Sequence, residues 1–386
     1  MNSTHPISEF LAIARSPLAR VERIAQELRR GHPVTLYDGR SSRLVIPAET
    51  LDQMLLDRLA TAGQQDWYLA ITPERAERLG IALDSVNVPG RIALPVASLN
   101  DVLSLVDPTL SIGKTSPGAP DLPSDIKISD GDDLDGLAIL LLKHAGLLPA
   151  AIIGSIDPST DGADDLVRID VADIREGIKA QSESLKIVSR TRVPLEDSEN
   201  VEIVAFRPTD GNVEHLAIVV GTPDLTQPVL IRLHSECFTG DLLGSLRCDC
   251  GNQLRGAISL MANTGGGILL YLAQEGRGIG LVNKLRAYQL QDAGQDTVDA
   301  NLELGFQEDE RDYAPAVEML KHLGVRQARV LTNNPRKVSA LTKLGVNVVE
   351  RVAHVFPANH HNRGYLFTKG TRGGHLFDVS QYQSES

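Results

Sequence analysis

The stretch RLHSECFTGDLLGSLRCDCGNQLR, residues 232–255, carries all three cysteines of the chain: Cys237, Cys248 and Cys250. An odd number of cysteines packed into one short segment points away from a disulfide framework and toward metal chemistry. Thiolate sulfur is a good zinc ligand, and a Cys-x10-Cys-x-Cys set can close on one tetrahedral ion. Three protein ligands leave a corner open for water, as in a catalytic site. A structural site would fill all four, and His234 is the candidate for the fourth. Burial as small apolar side chains is the plainest alternative.

The preceding stretch QPVLIRLHSE (227–236) reads as a strand that delivers the cysteines. Before it, VEIVAFRP (201–208) and EHLAIVVG (214–221) alternate as strands, joined at Asp210-Gly211, a hairpin signal. After it, GGILLYL (266–272) reads as a buried strand and residues 280–294 as a helix with Gly294 just past its end. Residues 295–313 read as a loop and 314–323 as a helix. ARVLT (328–332) reads as a strand, with Asn334-Pro335 capping a helix over 335–344. The second half is therefore mixed α/β (α+β), an antiparallel start followed by strand–helix alternation.

The first half reads as a separate domain, 1–192, followed by a second domain over 193–370 and a tail over 371–386. Helices are expected within 7–30, 51–63 and 73–81, strands at 34–38 and 67–72, a second apolar segment at 43–49, a long loop over 107–133, and a buried helix, turn and strand over 134–156.

The formal charge of −12 opposes a nucleic-acid polymer as partner, and a single Trp offers no stacking platform. No apolar run is long enough to cross a membrane and the N-terminus lacks a signal-peptide pattern, so a cytoplasmic location is expected.

Two further stretches suit an anion. QEGRGIG (274–280) follows a strand and opens a helix, and its glycines allow close backbone approach; its spacing is not that of a dinucleotide or P-loop fingerprint. TNNPRK (332–337) brings a hydroxyl, a helix N-terminus and two cations to another strand end. EDERDY (308–313) places an acid and a cation two residues apart, a pair able to act in proton transfer and charge stabilisation.

With YLAQEGRGIGLVNKLRAYQLQD, DTVDAN and LGFQEDERDY, these blocks resemble GTP cyclohydrolase II, in order and at family-like spacing over about residues 200–350. The resemblance implies that Cys237, Cys248 and Cys250 hold a catalytic zinc and that water attacks C8 of guanine, with formate released. It places Arg232, Leu233, His234, Ser235, Glu236 and Gln253 at the nucleotide. Glu275, Gly276, Arg277, Thr297, Thr332 and Lys337 complete the GTP contacts. Asp309 becomes the proton acceptor, Arg311 the nucleophile at the α-phosphorus or an electrostatic stabiliser, and Tyr288 a residue near the base. Magnesium on the triphosphate and a homodimer are also implied. Alternatives are an idle GTP-binding or scaffold module, a cyclohydrolase that stops at a formylated product, and a bifunctional enzyme.

The bifunctional alternative arises because RRGHPVTLYD, IPAE, ITPERAERLGI and LLKHAGLLPAAIIGSI resemble dihydroxybutanone phosphate synthase. That family's acidic run before the position of Leu44 is replaced by YDGRSSR, and its Gly-His-Thr-Glu by DLDG (133–136). Its magnesium carboxylates and base are thus missing, so the first domain reads as a degenerate synthase.

Overall fold

The computed structural model describes residues 16–61, 67–94, 98–113, 127–157, 159, 162–376 and 378. Helix α1 (Pro17–Arg29) is capped by Ser16, whose side chain accepts from Ala19 N. Strands β1 (Val34–Tyr37) and β2 (Ser42–Pro47) form a hairpin, followed by α2 (Gln53–Thr61), β3 (Tyr68–Ile71) and α3 (Pro73–Arg78). Then come β4 (Gly90–Ala93), α4 (Leu99–Val106), β5 (Ile128–Asp130), α5 (Asp133–His144), β6 (Ala150–Ser155), β7 (Arg168–Asp170) and α6 (Val171–Glu183). The part of the expected first helix before residue 16 lies outside the described residues, as does 114–126 of the expected loop. The end of that loop is not loop: β5 pairs with β4 at the sheet edge.

The first sheet has the order β5-β4-β3-β6-β2-β1-β7, antiparallel except for β1 beside β7. Val21, Ile24 and Leu28 of α1 meet Leu137, Leu141 and Leu142 of α5 over Leu36, Val45 and Ile153 of the sheet. Apolar residues at i, i+3 and i+7 put that stripe on one helix face.

The chain continues with β8 (Lys186–Arg192), β9 (Val201–Arg207), β10 (His215–Val220) and β11 (Val229–Ser235). After a π turn at Phe238–Leu242 come α7 (Cys250–Asn263), β12 (Gly267–Leu272) and α8 (Gly280–Asp292). Next are α9 (Thr297–Glu303), α10 (Ala314–His322), β13 (Gln327–Leu331), α11 (Pro335–Lys343), β14 (Asn347–Val352) and α12 (Arg363–Thr371). The segment expected to be loop over 295–313 thus contains α9, started by Asp296, whose Oδ1 accepts from Val298 N at 2.7 Å.

The second sheet runs β14-β13-β11-β12-β10-β9-β8. Strands β8, β9, β10 and β12 pair antiparallel, whereas β12, β11, β13 and β14 pair parallel. This is the antiparallel start and later alternation read from the sequence. Apolar layers on both faces explain why β11 opens with three consecutive apolar residues, Val229–Ile231. Ile231, Leu233, Leu270 and Val330 face Met319 and Leu320 of α10, while Leu230 and Leu269 face Ala257 and Met261 of α7.

By contacts the chain forms two compact units, and they do not follow a single cut. One comprises residues 1–180, 282–295 and 299–309; the other comprises 181–281, 296–298 and 310–386. Strand β8, placed before a boundary at 192 by the sequence, pairs with β9 in the second sheet. Within the first unit, buried Arg75 donates to Leu105 O at 2.8 Å and to the backbone and side-chain oxygens of Glu303 at 2.9 and 2.7 Å. Arg286 reaches Asp107 at 3.0 Å, and Asn283 donates to Gly146 O at 3.2 Å. These polar bonds link α8 and α9 to the first 180 residues.

Candidate active site

In the second unit, β11 lies parallel to both β12 and β13, so the three strands end at the same edge. The connection from β11 goes to one neighbour and the next returns to the other side, which makes β11 the switch point where open α/β sheets bind ligands. The cysteine segment follows β11, QEGRGIG follows β12, and TNNPRK follows β13. Topology therefore gathers the three stretches that the sequence singled out.

The sulfurs of Cys237, Cys248 and Cys250 all lie within 4.8 Å of one another, the Cys237–Cys248 pair at 3.8 Å. Metal–sulfur bonds of about 2.3 Å in a tetrahedron put sulfurs about 3.8 Å apart, so the donor set fits a zinc-like ion. Gly240 makes the cluster possible: a Cβ there would sit 2.7 Å from Cys248 Sγ and 3.0 Å from Cys237 Sγ. Hydrogen bonding with Cys237 is the largest influence on the Cys248 thiol, whose pKa stands at about 11, and it raises that of Cys250 as well. A bound cation reverses that preference by favouring thiolate.

His234 does not join the cluster. Among the described residues the metal-capable group contains only the three cysteines, and His234 Nε2 lies 3.1 Å from either oxygen of Asp241. The His234 ring stacks on Tyr271, and burial holds its pKa below the usual histidine value. Asp241, buried in the π turn, also accepts from Cys237 N at 3.0 Å and from Tyr271 OH at 3.1 Å. Neither Asp241 nor Tyr271 was singled out from the sequence. The carboxylate lies in a loop among leucines, and its partners come from the ends of β11 and β12.

Arg232 is buried, and burial lowers its pKa to about 10. It donates to Leu331 O at 3.2 Å and to Gln253 Oε1 at 2.5 Å, while its Nε has no hydrogen-bond partner. Ser235 Oγ is likewise buried without a partner, so two polar atoms next to the cysteines remain available to a ligand. Leu233 contributes its carbonyl, which accepts from Lys337 Nζ at 2.8 Å. Glu236 N donates to Leu272 O at 2.8 Å, closing the edge between β11 and β12.

In the turn after β12, Glu275 is buried and accepts from Phe238 N at 2.6 Å and Gly276 N at 2.8 Å. Gly276 and Arg277 both hold left-handed backbone, φ 64° and 63°. For arginine this conformation is strained, and such strain concentrates at functional sites. A Cβ on Gly278 would lie 2.8 Å from the Glu310 carbonyl carbon, and Glu310 N donates to Arg277 O at 3.0 Å. The glycine turn is therefore docked on the stretch that leads to Arg311, whose guanidinium lies 5.9 Å from the Tyr313 ring centroid.

Thr332 is buried beside the capped start of α11, its hydroxyl accepting from Asn334 N at 3.0 Å. Of the two cations expected to converge in TNNPRK, Lys337 points inward and Arg336 is exposed. Thr297 begins α9 next to Asp296, which pairs with Arg372. Tyr288, on α8 with Lys284 Nζ 5.7 Å from its ring, and half-buried Asp309 are counted with the first unit.

Three thiols in zinc-like spacing lie at the switch point in the parallel half of a mixed sheet, beside a strained glycine turn, an arrangement able to hold a metal ion in an α/β fold. Residues 186–353 match the family model described as GTP cyclohydrolase II. A GTP cyclohydrolase-2 of Azospirillum brasilense is 45% identical over 383 residues, 96% of this chain and 97% of its own length. The riboflavin biosynthesis protein RibBA of Synechocystis is 45% identical over 256 residues, 62% of this chain and 45% of its own. A solved two-domain 3,4-dihydroxy-2-butanone 4-phosphate synthase from A. baumannii, RibBX, covers 87% of this chain and 100% of its own, at 18% identity and a TM-score of 0.32. The chain belongs to the GTP cyclohydrolase II family and is an enzyme of that class.

Proposed function

We propose that the protein hydrolyses GTP to 2,5-diamino-6-(5-phospho-D-ribosylamino)pyrimidin-4(3H)-one, formate and pyrophosphate, the opening step of riboflavin biosynthesis. The observation that carries this reading is the meeting of the trithiol cluster with the loops after β12 and β13 at one sheet edge. Cys237, Cys248 and Cys250 would hold zinc, which when bound supplies a Lewis acid and a water of lowered pKa.

The remaining roles fall to the chain's own groups. Arg232, with an unpartnered Nε, and Ser235, with an unpartnered Oγ, hydrogen-bond the guanine-bearing half of GTP. Leu233, His234, Glu236 and Gln253 shape that pocket, and Glu275 and Gly276 hold the turn against the nucleotide. Arg277, Thr297, Thr332 and Lys337 take the triphosphate with magnesium. Cations near such a group stabilise its charge strongly where water is excluded. Arg311 acts by electrostatic stabilisation at the α-phosphorus, because a guanidinium stays protonated in ordinary settings. Asp309 as proton acceptor and Tyr288 near the base rest on the family resemblance.

The first domain serves as a degenerate synthase. Its DLDG carboxylate Asp135 is fully buried and accepts from Tyr68 OH at 2.7 Å, Arg43 at 3.0 Å and Arg91 at 2.6 Å. Asp132 pairs with the same two arginines. Carboxylates spent in this way are not free for magnesium, which opposes the bifunctional alternative. A homodimer working in the cytoplasm completes the proposal; among the described residues no helix is long and apolar enough to cross a membrane.

Cys248→Ser is the direct test of the site. It is expected to remove both zinc and ring opening, and full formate release by a zinc-free variant would refute the reading.

A further inference from the structure

Helix α12 lies beyond the family-matched residues 186–353, and it carries a lysine where an amphipathic helix would bury an apolar side chain. Lys369 is 8% exposed. Its Nζ lies 3.0 Å from Asp249 Oδ1 and 4.2 Å from the Tyr365 ring centroid. Asp249 is 4% exposed and stands between Cys248 and Cys250 in the chain. Its other oxygen accepts from Gln253 Nε2, and Gln253 Oε1 in turn accepts from Arg232 Nη2 at 2.5 Å. One line of bonds thus runs from the C-terminal helix, past the cysteine turn, to the buried guanidinium of β11.

The helix is itself anchored to the loops of the site. Asn359, just before it, donates to Leu246 O at 3.2 Å, in the loop between the cysteines. Arg372, just after it, pairs with Asp296 beside Thr297. The chain then turns back, with His375 N donating to Lys369 O at 3.1 Å and Leu376 N to Asn333 O at 2.8 Å, in the TNNPRK stretch. A buried ammonium costs desolvation that an apolar residue would not, so its presence asks for a role beyond packing.

We infer that Lys369 is a positioning residue of the active site: through Asp249 it fixes the Cys248–Cys250 turn, and through Gln253 it orients Arg232, so that metal and nucleotide are held in one register. The metal half stands on the trithiol geometry; the nucleotide half rests on the function proposed above. Partners that orient metal ligands commonly change affinity by about tenfold to a hundredfold when removed.

The test uses the full chain carrying Lys369→Met or Lys369→Arg, titrated with Co2+ and followed by the thiolate-to-metal charge-transfer absorbance. GTP kinetics are measured alongside. Folded Lys369→Met is expected to bind Co2+ about tenfold or more weakly and to show a raised KM for GTP, with Lys369→Arg recovering most of both. Should Lys369→Met fail to fold, the double variant Asp249→Asn/Lys369→Met, which removes both charges of the Lys369–Asp249 pair, is expected to show the same weakened Co2+ binding. Native Co2+ affinity and native KM in a folded variant lacking the lysine would overturn the inference. A native protein that binds Co2+, responds to Lys369→Met and yet leaves GTP intact would refute the proposed reaction while supporting the metal half of this one.

Discussion

Replacing Asp241 should separate a carboxylate that organises the site from one that merely fills a turn. Its side chain is 6% exposed and accepts from three donors: His234 Nε2, Cys237 N and Tyr271 OH, at 3.1, 3.0 and 3.1 Å. Hydrogen bonds to a charged acceptor are worth about 1.5–3 kcal/mol each, but three donors sharing one acceptor do not add, so Asp241→Ala is expected to cost about 4 kcal/mol. Asp241→Asn is expected to cost only about 1–2 kcal/mol. Its amide oxygen can still serve Cys237 N and Tyr271 OH, while its amide group needs only the other His234 tautomer. The single tryptophan, Trp67, lies in the first unit, so its fluorescence reports on the wrong half. Urea-dependent hydrogen exchange of peptides from β11 and β12 reads the correct one. Because Asp241 also holds Cys237 N, Asp241→Ala should weaken metal binding in parallel. An alanine variant within about 1 kcal/mol of native stability, or an asparagine variant as damaged as the alanine one, would refute the network account.

Two further outcomes follow from geometry and titration. Gly240→Ala should abolish metal binding, since the new Cβ would meet Cys248 Sγ at 2.7 Å and Cys250 Cβ at 2.9 Å; metal analysis of the purified, folded variant checks this. Acid should destabilise the second unit through His215, whose Nδ1 accepts from Ala273 N at 3.0 Å and whose pKa burial lowers from 6.5 to about 4. The fold favours the neutral ring, so the stabilisation is complete above 6.5 and is lost as pH falls toward 4, about 3 kcal/mol in all. Urea midpoints measured across that window should fall less steeply for His215→Asn, and an unchanged slope would count against the assignment.

The parts of the fold legible in the sequence were those whose signal is local. Strand β11 is marked by the apolar start Val229–Ile231, and the loops after β11, β12 and β13 by cysteines, glycines and a helix-capping Asn-Pro. Strands β8 and β14 were invisible for a related reason. They are the two edges of the second sheet, and in β8 six of seven residues are exposed, so no alternation marks it. Helix α12 buries Leu366 and Lys369, too little apolar surface to leave a stripe. The division into units was hidden in the same way. Helix α8 buries Asn283 and Lys284, and the bond from Asn283 to Gly146 spans 137 positions of sequence, where no periodicity reaches. Asp241, Asp249 and Lys369 acquire meaning only from partners brought close by folding, whereas the cysteines carried theirs in their spacing.

The central claim is that the trithiol edge of the second sheet opens the guanine ring of GTP. Incubating zinc-loaded protein with GTP and magnesium, and identifying the products by mass, tests it most directly. The account predicts formate, pyrophosphate and the diaminopyrimidinone ribosyl phosphate in equal amounts. GTP recovered intact, or a product that retains the imidazole ring, would contradict it.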